Sequence, residues 1–161
     1  TKDDIRKALS DFKGVEHRIE PVREISHMKF YNDSIGTSPT RTIASINSFK
    51  QKVILIAGGY DKNIPYDEMG ETLANKVKLL VLSGATGPKI AEALIKESER
   101  TGMGRDIPVF MCNDFEEAVK TAYKNAEEGD IVLFSPASAS FDEFKNFEEK
   151  GNRFKEIVNS F

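Results

Sequence analysis

The strongest constraint on the fold is a series of continuous apolar runs that alternate with segments of helical spacing. The runs are KVILIAGG (52–59), VKLLVLSGA (77–85), IPVFMC (107–112) and DIVLFSPA (130–137). Continuous apolar strands are typical of a parallel sheet that helices cover on both faces. The segments that follow them, PYDEMGETLANK, GPKIAEALIKESER, DFEEAVKTAYKNAEEG and DEFKNFEEKGNRFKEIVNSF, predict helices. Repeated strand–helix units of this length predict an α/β fold with right-handed crossovers.

The first fifty residues predict a helix, a hairpin and a second helix. Residues 3–12 have helical spacing, and IEPVREI and MKFYND read as two short strands that turn near Ser26 and His27. Ser38 is a plausible N-cap for the next helix, with Pro39 in its first position. We therefore expect residues 1–161 to form one Rossmann-like, three-layer α/β domain. Its sheet is mostly parallel and carries an N-terminal β-hairpin.

Composition excludes several classes of partner. The net charge is −3 with both signs interspersed, so nothing favours binding to nucleic acid. The longest apolar run, Val53–Ala57, is too short to cross a bilayer, and no membrane contact is predicted. Cys112 is the only cysteine, which excludes an internal disulfide and fits a reducing cytoplasm. Its position at the end of an apolar run predicts a buried structural thiol.

Two features of the chain predict that it is part of a longer protein. It has no GxxxxGK[ST] loop, so the usual cradle for a nucleoside triphosphate is missing. It starts with Thr1 and a predicted helix rather than with Met and a strand, and no signal peptide is visible, so we expect a fragment of something longer.

The carboxyl ends of parallel strands are where ligands bind in open α/β sheets, and two of the resulting turns are polar. After MKFYND, Asp33 could accept hydrogen bonds from a ribose or an adenine, and Thr37 offers a hydroxyl beside a helix N-terminus. The alternative is a capped Asx/ST turn. After VILIAGG, two glycines allow close approach of a ligand, and Lys62 offers a point charge for a carboxylate or phosphate. The alternative is a solvated turn lysine. The turn after LLVLSGA reads as a tight turn.

The stretch after the last predicted strand is rich in small hydroxyls and aromatics. Ser135, Ser138 and Ser140 lie where the polar groups of a ligand would arrive, and the backbone around Phe147 could add N–H donors. For the aromatic series of this stretch the alternative is core packing; its members are Phe141, Phe144, Phe147 and Phe154. Near the start, Arg18 could stack on a base or clamp a phosphate. No nucleophile is paired with a base and no metal-ligand cluster is present, so the residues alone predict only an anion-binding module.

Four segments, in order, resemble the C-terminal domain of the Mur ligases. They are FKGVEHRIEPV, FYNDSIGTSPTRTIASI, ILIAGGYDKN and LFSPASASFDEFKNFEEKGNRF, and together they extend the resemblance over essentially the whole chain. The last segment is the most specific, since it is close to the signature SPACASFDQF…NFE.RG..F of the D-glutamate-adding members. The HRIE and NDS.GT segments are shared more widely, including with folylpolyglutamate synthetases.

The resemblance implies the third domain of a three-domain, ATP-dependent amide ligase of peptidoglycan biosynthesis. In the family, a central domain carries the P-loop and the Mg²⁺ sites, which accounts for the missing triphosphate cradle. The family reaction activates the carboxylate of UDP-N-acetylmuramoyl-L-alanine as an acyl phosphate, which the amine of D-glutamate attacks. The C-terminal domain binds the amino acid and closes over the nucleotide, so the implied partners also include ATP and ADP and the enzyme's own central domain.

The resemblance assigns site residues by motif. Arg18 and Asp33 would contact the nucleotide. D-glutamate would be surrounded by Thr37, Lys62, Ser140, Phe141 and Phe147, with the backbone of the two phenylalanines mattering more than their rings. No catalytic residue and no metal ligand is assigned within this chain. The family's commonest form of the second motif is DSKATN, whereas this chain has DSIGTS, so Ile35 takes the place of a lysine.

Three alternatives remain open from the sequence. The chain could come from a Mur ligase that adds diaminopimelate or lysine, or from a folylpolyglutamate synthetase-like ligase. It could also be a stand-alone α/β module that binds nucleotides or anions. A stand-alone module predicts useful ligand affinity without a partner domain, whereas the ligase interpretation predicts an inactive, weakly binding fragment.

Overall fold

A six-stranded sheet forms the centre of the protein, whose computed structural model describes all residues from 1 to 161. Its strands, in the spatial order β1-β2-β6-β3-β4-β5, are all parallel except for the antiparallel β1–β2 hairpin. Their bounds are β1 Glu20–Ile25, β2 Met28–Asn32, β3 Val53–Ala57, β4 Val77–Leu82, β5 Val109–Met111 and β6 Ile131–Phe134. The predicted α/β class, mostly parallel sheet and N-terminal hairpin are confirmed.

Helices cover both faces of the sheet and divide the core in two. The bounds are α1 Lys2–Asp11, α2 Pro39–Asn47, α3 Gly70–Lys76, α4 Gly87–Thr101, α5 Phe115–Asn125 and α6 Phe147–Asn159. Helices α2, α3 and α4 pack on one face, where they meet Leu55 and Leu133, while α5 and α6 pack on the other, where they meet Ile54 and Val132. Strand residues therefore alternate between two buried layers, which explains why the apolar runs are continuous.

Local signals fix the first turn and the start of α2. Ser26 and His27 both have positive φ, at 49° and 63°, as a tight hairpin turn that follows the twist of its strands requires. Ser38 accepts a hydrogen bond from the backbone N–H of Arg41 at 3.4 Å, and Pro39 opens the helix. The predicted hairpin turn and N-cap are therefore confirmed.

Three expectations from the sequence need correction. Strand β5 is an edge strand whose three residues are all exposed, because only β4 pairs with it. Helix α3 begins at Gly70 after a short 3-10 turn at Asp67–Met69, and α6 begins at Phe147 because Asn146 caps it. The segment before α6 is therefore a loop. Cys112 is half-buried, with its Sγ 3.6 Å from the Thr121 hydroxyl, and burial raises the pKa of its thiol.

None of the helices combines the length and the apolar character that a bilayer span requires.

Helix α1 has an apolar face that is exposed. A capping box between Thr1 and Asp4 starts the helix, and none of its residues is buried. Ile5, Leu9 and Phe12 share one side of it and are all exposed. Every hydrogen bond and ion pair of residues 1–12 is internal to that segment. We therefore expect α1 to contribute little to the stability of the domain.

Deletion of residues 1–12 should leave the thermal stability of the domain unchanged. We expect the Tm to shift by less than about 2 °C, as for a change under ~1 kcal/mol in a chain of this length. Thermal unfolding followed by circular dichroism measures this. Phe154→Ala, which truncates a fully buried ring, is the destabilising control and should cost about 3–5 kcal/mol. A large fall in Tm on deletion would show that α1 packs against the domain.

Candidate functional site

The turns that follow β2, β6, β3 and β4 lie side by side at one edge of the sheet. Backbone hydrogen bonds join neighbouring turns: Ala137 N–H donates to the Gly36 carbonyl at 2.8 Å, and Gly58 N–H donates to Pro136 at 2.9 Å. On the far side, the N–H of Thr86 donates to the Gly59 carbonyl at 3.2 Å. The carboxyl ends of the strands therefore form one continuous surface, as the rule for open parallel sheets predicts.

Asp33 is a buried carboxylate held on both oxygens. One oxygen accepts the backbone N–H of Ile19 at 3.1 Å, and the other accepts the hydroxyl of Ser135 at 2.7 Å. The Ser135 hydroxyl is also 2.8 Å from that of Thr42. Burial raises the pKa of the Asp33 carboxyl, against the opposing effect of these hydrogen bonds and of Arg18. This geometry locks the orientation of the carboxylate at the end of β2.

Arg18 and Asp33, the two residues that the resemblance assigns to the nucleotide, line the same cleft. The cleft has a volume of about 310 Å³, and its walls are Arg18, Ile19, Asp33, Ile35, Gly36, Arg41, Ala44 and Ser45. Arg41, which the sequence analysis did not single out, lies there with its Nη1 3.4 Å from the carbonyl of Ile35. Two guanidinium groups and a buried carboxylate can bind the phosphate and hydroxyl groups of a nucleotide.

Thr37 and Lys62 meet, although they belong to different turns. The ammonium of Lys62 donates to the backbone carbonyl of Thr37 at 3.3 Å. The turn that carries Lys62 is fixed by Asp61, which accepts the N–H of Asn63 at 2.8 Å and forms an ion pair with Lys89 at 2.7 Å. A cation and a hydroxyl-bearing residue therefore stand together at the mouth of the site.

The serines after β6 divide into two structural residues and one free hydroxyl. Ser138 shares hydrogen bonds with Tyr66 at 2.8 Å and with Thr86 at 2.7 Å, and Ser135 is bound to Asp33. The expectation that Ser135 and Ser138 meet a ligand is therefore wrong, because other side chains already occupy their hydroxyls. Ser140 is different: its Oγ is buried and has no hydrogen-bond partner. Such a group is unfavourable unless something else completes it.

The aromatic series of the last segment has members with different roles. Phe154 is fully buried and Phe144 packs edge-on against Phe115, so the core-packing interpretation holds for these two. Phe141 is 64% exposed and stands edge-on to Tyr60, with ring centroids 6.0 Å apart. Phe147 is the first residue of α6, and its backbone N–H has no acceptor within the protein. Phe141 and Phe147 therefore remain candidates for the site.

Two buried groups near the site were missed or given no role from the sequence. His17 is buried, with its Nδ1 3.0 Å from the amide nitrogen of Asn32 and 3.1 Å from the Ser34 hydroxyl. Lys150 is only 1% exposed, and its ammonium donates to the Gly58 carbonyl at 3.2 Å. Burial lowers the pKa of Lys150. A signal existed for Lys150, because the signature quoted above has an arginine at its position.

The chain contains no group of three or more His, Cys, Asp or Glu side chains placed to hold a metal ion.

Comparison with known proteins supports one family. The model described as the Mur ligase, glutamate ligase domain, matches residues 17–138. A UDP-N-acetylmuramoylalanine–D-glutamate ligase of Acetivibrio thermocellus is 67% identical over 99% of this chain and 34% of that protein. The ligase of the same name from Ruminiclostridium cellulolyticum is 54% identical over 97% of this chain and 34% of that protein. The chain thus spans about a third of the length of these relatives.

A similar fold occurs in a bifunctional folylpolyglutamate synthase/dihydrofolate synthase from Yersinia pestis CO92. Its TM-score is 0.65 at 16% identity, over 98% of this chain and 34% of that one. The structure of that enzyme complexed with AMPPNP and Mn ion gives a TM-score of 0.62 at 17% identity, over 98% of this chain and 35% of that one. At this identity the likeness concerns the fold alone. The family model, in contrast, matches well over half of the chain, and the chain therefore belongs to the Mur ligase family, as its glutamate ligase domain.

Proposed function

We propose that this chain is the C-terminal, amino-acid-binding domain of an ATP-dependent ligase that joins D-glutamate to UDP-N-acetylmuramoyl-L-alanine in peptidoglycan biosynthesis. In the proposed protein, residues 1–161 follow a UDP-binding domain and a central ATPase domain. The observation that carries the proposal is the meeting of Lys62 with Thr37 at the carboxyl ends of β3 and β2. This contact supports the proposal because it brings together two residues that the family resemblance assigns to the same pocket.

The chemistry of D-glutamate matches the polar groups at the carboxyl ends of β2, β3 and β6. A dicarboxylate is bound by a cation, hydroxyls and backbone N–H donors, and charge-assisted hydrogen bonds are the strong ones. Lys62 supplies the charge, Thr37 and Ser140 supply hydroxyls, and the first-turn N–H of Phe147 points out of α6 without an acceptor. The exposed Phe141 borders the same loop. These residues form the proposed D-glutamate site.

The nucleotide would lie in the neighbouring cleft. Arg18 and Arg41 suit phosphate oxygens, and the fixed carboxylate of Asp33 suits a ribose hydroxyl or an adenine amine. The chain holds no donor set for Mg²⁺ and no triphosphate loop, so both would come from the central domain. The free apolar face of α1 supports contact with that domain. A nucleotide-linked substrate, ATP and a single cysteine all fit a cytoplasmic enzyme.

The direct test is phosphate release by the full-length parent protein with ATP, Mg²⁺ and UDP-N-acetylmuramoyl-L-alanine. We expect release to depend on D-glutamate and not on L-glutamate, L-lysine or meso-diaminopimelate. The 161-residue chain alone should release none, because the acyl phosphate forms at the central domain. Release with another amino acid would keep the ligase and overturn the D-glutamate site. Phosphate release by the isolated chain would contradict the proposal that the acyl phosphate forms at the central domain.

Lys62→Ala in the full-length enzyme should raise the KM for D-glutamate at least ~10-fold, since a hydrogen bond to a charged group is worth about 1.5–3 kcal/mol. The KM for ATP should change little. Steady-state kinetics with each substrate varied in turn measures both. Lys52→Ala is the matched control, because Lys52 is an equally exposed lysine just before the opposite end of β3. Equal effects of the two substitutions would remove Lys62 from the pocket.

Asp33→Asn should weaken nucleotide binding without destabilising the domain. Asn can still accept the Ile19 N–H and can donate to Ser135, but it has no charge for the nucleotide to meet, so we expect a KM for ATP raised ~10-fold. The raised pKa of Asp33 means that folding favours its protonated form. The wild-type chain therefore loses stability relative to the Asn variant as pH rises above the unfolded pKa of Asp33.

The corresponding measurement is the Tm of both isolated chains between about pH 4 and pH 8. The difference, Asn variant minus wild type, should grow with pH over that range. Asp130, a buried aspartate that pairs with Lys78 at 2.8 Å far from the cleft, is the control, and Asp130→Asn should lower the Tm at neutral pH. A Tm advantage of Asp33→Asn that shrinks with rising pH would contradict the proposed protonation behaviour.

A further inference from the structure

The position of Lys150 is unfavourable for the stability of the domain. Its side chain is 1% exposed, and its ammonium meets one carbonyl, that of Gly58, and the faces of two aromatic rings. The ring centroids of Phe115 and Phe134 lie 5.1 and 5.8 Å from Nζ. No carboxylate forms an ion pair with it; Asp142 and Glu143 act only through longer-range charge. Buried charges are normally paired, so a buried ammonium with two unused N–H donors requires an explanation.

The helix adds to this cost. Lys150 is the fourth residue of α6, close to the helix N-terminus, where the helix dipole favours negative charge and disfavours a cation. Glu148 and Glu149 occupy the favourable first-turn positions but point elsewhere, and both are exposed. Lys150 therefore places a cation in the helix turn where negative charge is favoured, and no carboxylate forms an ion pair with it.

The Lys150 ammonium lies close to two segments: the turn after β3, residues 58–63, which carries Lys62, and the loop after β6, residues 135–140, here called the serine loop. A Cβ built on Gly59 would stand 3.3 Å from the Lys150 Nζ and 2.5 Å from the Ala139 carbonyl, so all three groups are in close contact. Ser140, whose buried Oγ has no partner, is the next residue after Ala139. Two buried polar groups with unmet hydrogen-bonding capacity thus border the same place, beside the proposed D-glutamate site.

We propose that Lys150 is a positioning residue for the amino acid: its buried positive charge, fixed beneath the Gly58–Gly59 turn, draws the dicarboxylate into the site without touching it. This inference rests on the proposed function. A charge inside the protein acts through a medium of lower dielectric than water, so its field reaches the site with less screening than that of the exposed Lys62. The incoming negative charge would in turn offset the burial cost of the ammonium.

A purely structural role for Lys150 makes the opposite prediction for stability. If Lys150 served to fasten α6 to the Gly58 carbonyl, its loss would lower the Tm. If the charge is kept for the ligand, an uncharged side chain of similar length should pack better in the same space. Replacing an unfavourable buried charge with an apolar side chain of similar volume is often neutral or stabilising. The sign of the change in Tm therefore separates the two roles.

The experiment compares Lys150→Met and Lys150→Arg in the full-length enzyme and in the 161-residue chain. For Lys150→Met we expect a Tm equal to or above that of the wild type, and a KM for D-glutamate raised about tenfold with kcat within about threefold. Lys150→Arg keeps the charge and should restore most of the KM. Lys120→Met, which removes an exposed lysine of α5, is the control and should change neither quantity.

Each outcome decides the inference. A fall in Tm for Lys150→Met, or an unchanged KM with the Tm preserved, overturns it. A raised KM that Lys150→Arg fails to restore overturns the role of charge. These results differ from failure of the proposed function, in which the wild-type full-length enzyme itself would show no D-glutamate-dependent phosphate release. The kinetic comparison is made only with a wild-type enzyme that shows this release.

Discussion

The insertion of β6 between β2 and β3 is the constraint on which the whole site depends. These strands are far apart in the sequence, and parallel pairing brings their carboxyl ends to one line. Backbone bonds continue past the strands: Asp33 N–H donates to Phe134 at 2.7 Å, and Ser135 N–H donates to Ile56 at 3.1 Å. The loop that follows β6 is therefore held between the turn after β2, which carries Asp33, and the turn after β3, which carries Lys62. Because β6 separates the two turns, each side of its loop borders a different turn.

Such close packing of three turns requires small residues at defined points. Gly58 has φ 104°, and a Cβ there would come within 2.0 Å of the Ser83 carbonyl oxygen. A Cβ on Gly36 would lie 2.5 Å from the Ser135 hydroxyl. The hydroxyls of Ser135 and Ser138 form hydrogen bonds to side chains of neighbouring segments and so connect them. This leaves Ser140 as the serine of this loop whose buried hydroxyl has no hydrogen-bond partner.

The helices and strands of this fold could be predicted from the sequence better than the exposure and hydrogen-bond partners of individual side chains. Apolar periodicity and the Ser38 cap reveal local structure because they depend on neighbouring residues. The exposure of β5, in contrast, could not be predicted, because edge strands and central strands can carry similar apolar residues. Only the order of the strands in the sheet distinguishes them. Hydroxyls of Ser135 and Ser140 look alike in a sequence, and only the folded turns show which one is satisfied. Lys150 did leave a trace, because it lies on the helical stripe that includes Phe147 and Phe154.

Asp33 and Lys150 are the two buried ionisable groups that dominate the electrostatics of the candidate site. Both are buried, and burial moves the pKa of each toward the neutral form, upward for the carboxyl and downward for the ammonium. Opposite buried charges would be least costly as an ion pair, yet the serine loop lies between them and each is held by its own set of partners. Partners within the chain offset part of this cost, and groups from outside would offset more: hydroxyl or amine donors at Asp33 and carboxylates near Lys150. A nucleotide and a dicarboxylic amino acid carry these groups. Under the proposed function, the domain is therefore polarised in advance for two ligands, and their arrival rather than its own packing completes its electrostatics.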